Sequence, residues 1–373
     1  MKEKILVIIS LAAISILVLT LISSIMSIIW SRTPLLLPWW YFMLVDFLVY
    51  VLSLSVLLMT GIAIGRTLEK RIPMGLDSLK ASMISTSGGI LSGSILVFYL
   101  ISYLFGLEFA SSLILMAFIF ALIPSFISWL LAPAIINVVY RCKHDPNLQE
   151  IVNRVATKAG MKAPKAMIAD MGIPNAFAYS SPLMGRYVAV TTGLLKIMNR
   201  DELEAVIGHE LGHHKHRDNS VMMFFGIIPN IVYFMGRSLL FIGIVSRYSD
   251  GGERRRSESS NVLMILLGIV LIVISIVFQL LVLSLSRLRE YFADAHGAKV
   301  ASPYSMINAL KSLDRFYKYT GAKTLISNSK LKPLFIYALA DVFVGLEELL
   351  TTHPPIHKRI AFLESLIGKE IEA

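Results

Sequence analysis

Apolar and polar positions segregate along this chain into long blocks rather than short alternations. Six stretches, 5–30, 38–65, 81–106, 109–140, 220–246 and 261–286, stay apolar for longer than the roughly 20 residues a bilayer-spanning helix needs. Together they take up about 165 residues by that criterion. Trp39 and Trp40 open the second stretch, where interfacial aromatic rings belong. The first follows Lys2 and Lys4 as a signal sequence would. Its apolar run is too long and lacks a small-x-small cleavage site, so it reads as a retained anchor. Asp46 in the second stretch is either a functional intramembrane carboxylate or an interhelical polar contact. Arg237 divides 220–246 and leaves about 16 charge-free residues before it, near the lower limit for a span. Segments five and six therefore read either as full crossings or as a tilted, shallow hairpin.

The polar residues fall in two blocks, 141–219 and 287–373, enough together for one compact domain. In the first, Leu148, Ile151, Val152, Val155 and Ala159 mark one face of a helix closed by Gly160. Lys165–Ala169 and Tyr187–Thr192 are strand-like, and 174–179 between them alternates as an edge strand does. Asn199 and Glu202 have the spacing of a capping box for a helix that runs to about Arg217. In the second block, 287–299 continues helical from segment six and 304–319 forms another helix. A last helix starts at Pro354-Pro355 with Ile356, Ile360, Leu363 and Ile367 on one face. The Ser/Arg/Gly-rich stretch 246–260 reads as a loop.

Composition agrees with this partition. The 373 residues are 55% hydrophobic and only 16% charged, with a mean hydropathy of +0.69. That excludes a purely soluble or a disordered chain. One cysteine, Cys142, excludes an intrachain disulfide and a cysteine-based metal cage. The net charge of +10 suits cytoplasmic loops facing anionic lipid. No basic stripe with interleaved aromatics points to nucleic acid, so no nucleic-acid partner is expected. Lysine and arginine concentrate at the N-terminus, in 66–80 and from Arg141, which places the polar blocks on the cytoplasmic side. Arg247 and Arg254–Arg256 run against that rule if segments five and six both cross.

The most informative stretch is His209-Glu210-Leu211-Gly212-His213. Residues four apart share a helix face, so both imidazoles can converge on one metal ion while Glu210 reaches a water beside it. Leu203, Val206, Ile207 and Leu211 supply the inner side of that helix, and His214 and His216 lie off the face of the pair as solvated or supporting residues. A catalytic zinc takes three protein ligands, and with no second cysteine the third is a carboxylate or a distant histidine. Glu290 and Asp294 are one helical turn apart. Glu290 can bind metal while Asp294 orients a ligand imidazole, or both can belong to an ordinary helix face with Arg287 paired to Glu290. Topology favours the first reading. His213 lies about 10 Å of helix before segment five and Glu290 about 6 Å after segment six. A hairpin would return both to one level, just above the bilayer surface.

Four motifs carry a family resemblance: HELGHHKHRD (209–218), SRLREYFADAHG (286–297), THPPIHKRI (352–360) and PNAFA (174–178). In this order they resemble the HtpX-type integral-membrane zinc metallopeptidases, gluzincins related to the CAAX-prenyl proteases. The common bacterial pattern has two N-terminal membrane segments, and this chain has four. The resemblance implies a mainly α membrane protein in which transmembrane helices accompany a split zincin-like α+β metalloprotease domain with a small sheet. The parts are 1–140 as an N-terminal transmembrane region of about four helices, 141–219 as the first part of the protease domain, 220–286 as a membrane hairpin and 287–373 as the second part. It further implies one Zn2+ per chain held by His209, His213 and Glu290, with Glu210 catalytic and Asp294 in support. Asn175, Ala176, Phe177, His353 and Arg359 would contact substrate or transition state. The expected activity is endoproteolysis of membrane or membrane-proximal polypeptides in protein quality control. Prenyl-protein cleavage and a non-catalytic metal-stabilised scaffold stand as alternatives.

Overall fold

The computed structural model describes residues 76–249, 254–319, 354 and 356–368. The first two apolar segments, Asp46 and His353 lie outside them. Two compact units emerge. Of the described residues, one comprises those within 87–124 and 225–283, the other those within 76–86, 125–224 and 284–368.

The described part of the first unit is helical. It contains most of helices α1 (Leu76–Phe105), α2 (Leu107–Val139), α6 (Asp218–Ser249) and α7 (Arg254–Val300). All four are long and apolar enough to cross a membrane, including the one Arg237 divides, which runs uninterrupted for 32 residues. The expected 246–260 loop is mostly helix, because arginine and serine at 254–260 extend α7 toward its N-terminus. Ile101, Leu113, Leu239, Leu271 and Phe278 centre a dry core. Leu96, Tyr99, Tyr103, Leu115 and Phe118 remain exposed, as lipid-facing positions do. Within this unit α6 and α7 meet at glycine: a Cβ on Gly268 would lie 2.7 Å from the Gly236 carbonyl oxygen. Such contacts let membrane helices pack closely without a hydrophobic driving force.

The second unit carries a four-stranded sheet in the order β1-β2-β4-β3. Its strands are β1 (Lys143–His144), β2 (Lys165–Ala169), β3 (Ala176–Ser181) and β4 (Gly185–Thr191). β2 runs parallel to β4, while β1 and β3 pair antiparallel with β2 and β4 respectively. β3 is thus an edge strand, as its alternation indicated. The two-residue side-chain period divides the faces. Ala166, Val188 and Val190 pack with helices α3 (Pro146–Lys158) and α5 (Arg200–Lys215), whereas Met167, Tyr179, Tyr187 and Ala189 form the opposite face. Asp145 caps α3 by accepting the Leu148 N–H, and Pro146 occupies its first turn. Thr191 caps the short α4 (Thr192–Ile197). The Asn199–Glu202 capping box forms in both directions.

Helix α7 does not stop at the membrane segment but continues for 47 residues to Val300. The next described helices are α8 (Pro303–Tyr319) and α9 (Ile356–Glu364). Leu363 of the expected stripe is buried and Ile356 and Ile360 pack against the same core, whereas Ile367 is exposed. Phe362 and Arg359 are buried as well, and Arg359 is turned inward by a buried carboxylate.

Small residues set how closely α5 and α7 approach. A Cβ on Gly297 would stand 2.7 Å from the Ala205 carbonyl oxygen and 3.1 Å from the His209 nitrogen. Gly208 faces Gly297 in turn, and Gly212 faces Ala293 and His296. His296 Nδ1 donates to the Gly208 carbonyl at 2.9 Å across the same contact. Gly297→Val should therefore lower stability by about 1–3 kcal/mol, because backbone rather than a flexible side chain must yield. Thermal unfolding in detergent checks this, and an unchanged midpoint would refute the packing account.

Candidate metal centre

The contact just described puts Glu290, Asp294 and Gly297 on the face of α7 that meets His209 and His213 of α5. His209 Nε2 lies 3.2 Å from His213 Nε2. Glu290 completes the triangle, its Oε2 lying 3.6 Å from His209 Nε2 and its Oε1 3.5 Å from His213 Nε2. Among the described residues this is the only cluster of three such groups with ligand atoms all within 4.8 Å. Zinc binds nitrogen and oxygen at about 2.0–2.2 Å in tetrahedral geometry, which implies ligand–ligand edges of about 3.3–3.6 Å. The two imidazole nitrogens stand close to such an edge, and Glu290 turns one carboxylate oxygen toward each of them.

The other ring nitrogens explain why the lone pairs point inward. His209 Nδ1 is 2.9 Å from Asp294 Oδ1, and His213 Nδ1 is 2.6 Å from Asp218 Oδ2. A proton on each Nδ1, donated to a carboxylate, leaves each Nε2 unprotonated and free to ligate. Both carboxylates are anchored by arginine. Arg359 Nε and Nη2 donate to the two oxygens of fully buried Asp294 at 2.8 and 2.5 Å. Arg289 Nη2 donates to Asp218 Oδ1 and, at 2.8 Å, to the His216 carbonyl. Each imidazole is thus the end of an Arg–Asp–His chain. Burial works against the Arg359 charge, but Asp294 outweighs it and holds the guanidinium protonated well beyond its ordinary range.

Glu210 is buried on the same helix between the two histidines. Arg359 also brings Nη1 within 3.8 Å of Glu290 Oε2 and Nη2 within 3.5 Å of His209 Nδ1, so it touches Asp294, Glu290 and His209. On the sheet, Asn175 is exposed, and its backbone N–H donates to Thr191 Oγ1. Half-buried Ala176 packs toward the helices. Phe177 turns to the other sheet face against Tyr140 and Tyr179. His214 is neither solvated nor at the metal centre. It is buried with Nε2 2.8 Å from the Tyr187 carbonyl, and burial pulls its pKa down to about 4. His216 packs its ring beside Phe292 and His296.

Asp218 and Arg289 were absent from the sequence expectation. The available signal was a carboxylate five residues after His213, across the break at Arg217 (φ 54°), together with the arginine preceding Glu290. Asp218→Asn should keep the fold and weaken metal affinity about 10- to 100-fold, as loss of a histidine's carboxylate partner does. Competition against a metal-binding dye measures it, and unchanged affinity would remove Asp218 from the metal centre.

The chain is similar to proteins of one family. Residues 143–367 match the model of Peptidase family M48. The chain is 42% identical to a protease HtpX homolog of Pyrobaculum calidifontis, over 71% of this chain and 82% of that one. It is 36% identical to a protease HtpX homolog of Archaeoglobus fulgidus, over 85% and 95%. A crystal structure of S. mikatae Ste24p aligns with a TM-score of 0.48 at 19% identity, over 78% of this chain and 67% of that one. The chain belongs to peptidase family M48 and is an HtpX-like integral-membrane metallopeptidase.

Proposed function

We propose that this protein is a zinc endopeptidase that cleaves membrane or membrane-proximal polypeptides on the cytoplasmic side, in protein quality control. One observation carries the zinc reading: two Nε2 atoms and a carboxylate converge within 4.8 Å of one another, with both Nδ1 atoms beside carboxylates. His209, His213 and Glu290 hold the ion. When bound, zinc supplies Lewis acidity that polarises a peptide carbonyl and makes a water acidic near neutral pH. Glu210 accepts that water's proton at its carboxylate and delivers it to the leaving amine nitrogen. Asp294 and Asp218 keep the imidazoles in the ligating tautomer, and Arg359 holds Asp294 ionised. Asn175, Ala176 and Phe177 lie at or beside an edge strand whose outer backbone groups can pair with an extended substrate. His353 is assigned to substrate contact by motif resemblance.

The cytoplasmic placement rests on the distribution of lysine and arginine among the loops. The quality-control role rests on resemblance to the HtpX-type enzymes. No residue in the described chain identifies a prenyl group.

Purified protein in detergent should degrade a model membrane protein in a zinc-dependent manner. Glu210→Gln should retain zinc and lose at least about 100-fold in rate, the usual scale for removing a general base. Retained cleavage in that variant would refute the mechanism. Glu290→Ala should lose bound metal by elemental analysis, and full occupancy would overturn its assignment as a ligand.

A further inference from the structure

A cavity of about 520 Å³ opens beside the metal centre, and its lining is unevenly charged. Ala178, Ser180 and Ser181 of β3 line it together with His213 and Asn219. Arg186, Lys215 and Arg217 also line it. The lining includes one carboxylate, Asp218, which is already engaged by Arg289 and His213. Arg186 and Arg217 are exposed, and neither has a carboxylate partner among the described residues.

Both arginines stand on fixed backbone. Arg186 sits opposite Ser180 in the register of the β3–β4 hairpin, at the far end of the edge strand from Asn175. Arg217 forms the joint between α5 and α6. Its N–H donates to the His214 carbonyl, and its own carbonyl accepts from Ser220 and Val221. The cations are therefore pre-placed along the β3 edge rather than carried on a free loop.

We propose that this cavity selects polypeptides with acidic side chains on one side of the scissile bond, with Arg186 and Arg217 as the residues that determine the preference. The proposal rests on the edge strand being the substrate track. A chain paired along β3 with its scissile carbonyl near His213 carries its flanking residues past Ser180 and Ser181. There it meets two guanidinium groups and the Lys215 ammonium, and among the described lining residues the one carboxylate, Asp218, is already paired. An arginine also engages a carboxylate through two parallel N–H bonds, which a neutral amide side chain cannot reproduce. Each partly exposed charge pair adds only modestly, so the preference is graded rather than absolute.

The test uses full-length, zinc-loaded protein in detergent and a fluorescent peptide series with Asp, Asn or Lys placed in turn on each side of one cleavage site. Wild type should cleave the Asp peptide about three- to tenfold more efficiently than the Asn peptide, with the Lys peptide poorest and the effect confined to one side. Raising salt to about 0.5 M should compress the ratio, because exposed charges are screened. Arg186→Glu with Arg217→Glu should invert the order of Asp and Lys peptides, and the milder Arg→Gln pair should flatten it. Binding of the same peptides to the Glu210→Gln protein, by fluorescence anisotropy, should follow the same order. This keeps the preference measurable even if hydrolysis through Glu210 proves wrong. Equal cleavage and binding of all peptides, or a preference untouched by both double variants, would overturn the proposal. So would a double variant whose only defect is weaker binding to vesicles of anionic phospholipid.

Discussion

The close approach of α5 to α7 is the constraint on which the rest of the centre depends. Gly208 and Gly212 on one helix face Ala293, His296 and Gly297 on the other, leaving no room for a side chain at Gly297. Backbones this near let Glu290, nearly eighty positions further along the chain, reach two imidazoles that project only one helical turn apart. The shared contact also brings His296 onto the Gly208 carbonyl, so it is tied by a hydrogen bond as well as by packing. A side chain at Gly297 would push the two helices, and with them His209 and Glu290, apart.

Bringing ligands together buries charge, and the centre resolves that cost by pairing. Asp294 is wholly enclosed and is held by two N–H groups of Arg359, while Asp218 is held by Arg289. Removing one member of such a pair leaves an uncompensated buried charge, which is more damaging than losing an exposed salt bridge. The same pairing orients the histidines, so the groups that stabilise the charges also determine which ring nitrogen can ligate. Arg359 links the last helix to this system, which explains why α9 turns a charged residue inward beside Phe362 and Leu363.

Much of this was legible in the amino-acid order, and the exceptions have physical causes. The four apolar spans among the described residues, the capped helix with its two histidines and the edge strand all follow from local periodicity and caps. Glu290 was recoverable because a continuous helix carries segment six into the acidic motif. Asp218 was not singled out, since its role depends on a helix break at Arg217 that local pattern does not announce. His214 sits beside His213, and only the sheet reveals that it is buried to meet the Tyr187 carbonyl. On α9 the expected Ile356, Ile360 and Leu363 do meet the core, whereas Arg359 was missed because hydrophobic periodicity counts it as polar and outward. Its inward turn comes from Asp294, some 65 residues earlier in sequence.

The central claim is that one metal ion is held by two imidazoles and a carboxylate. X-ray absorption spectroscopy at the zinc edge on the purified, zinc-loaded protein tests it most directly. The account predicts a first shell of nitrogen and oxygen at about 2.0–2.2 Å, with multiple scattering from two imidazole rings. Scattering from three or more imidazoles, or a protein that binds no zinc, would contradict it.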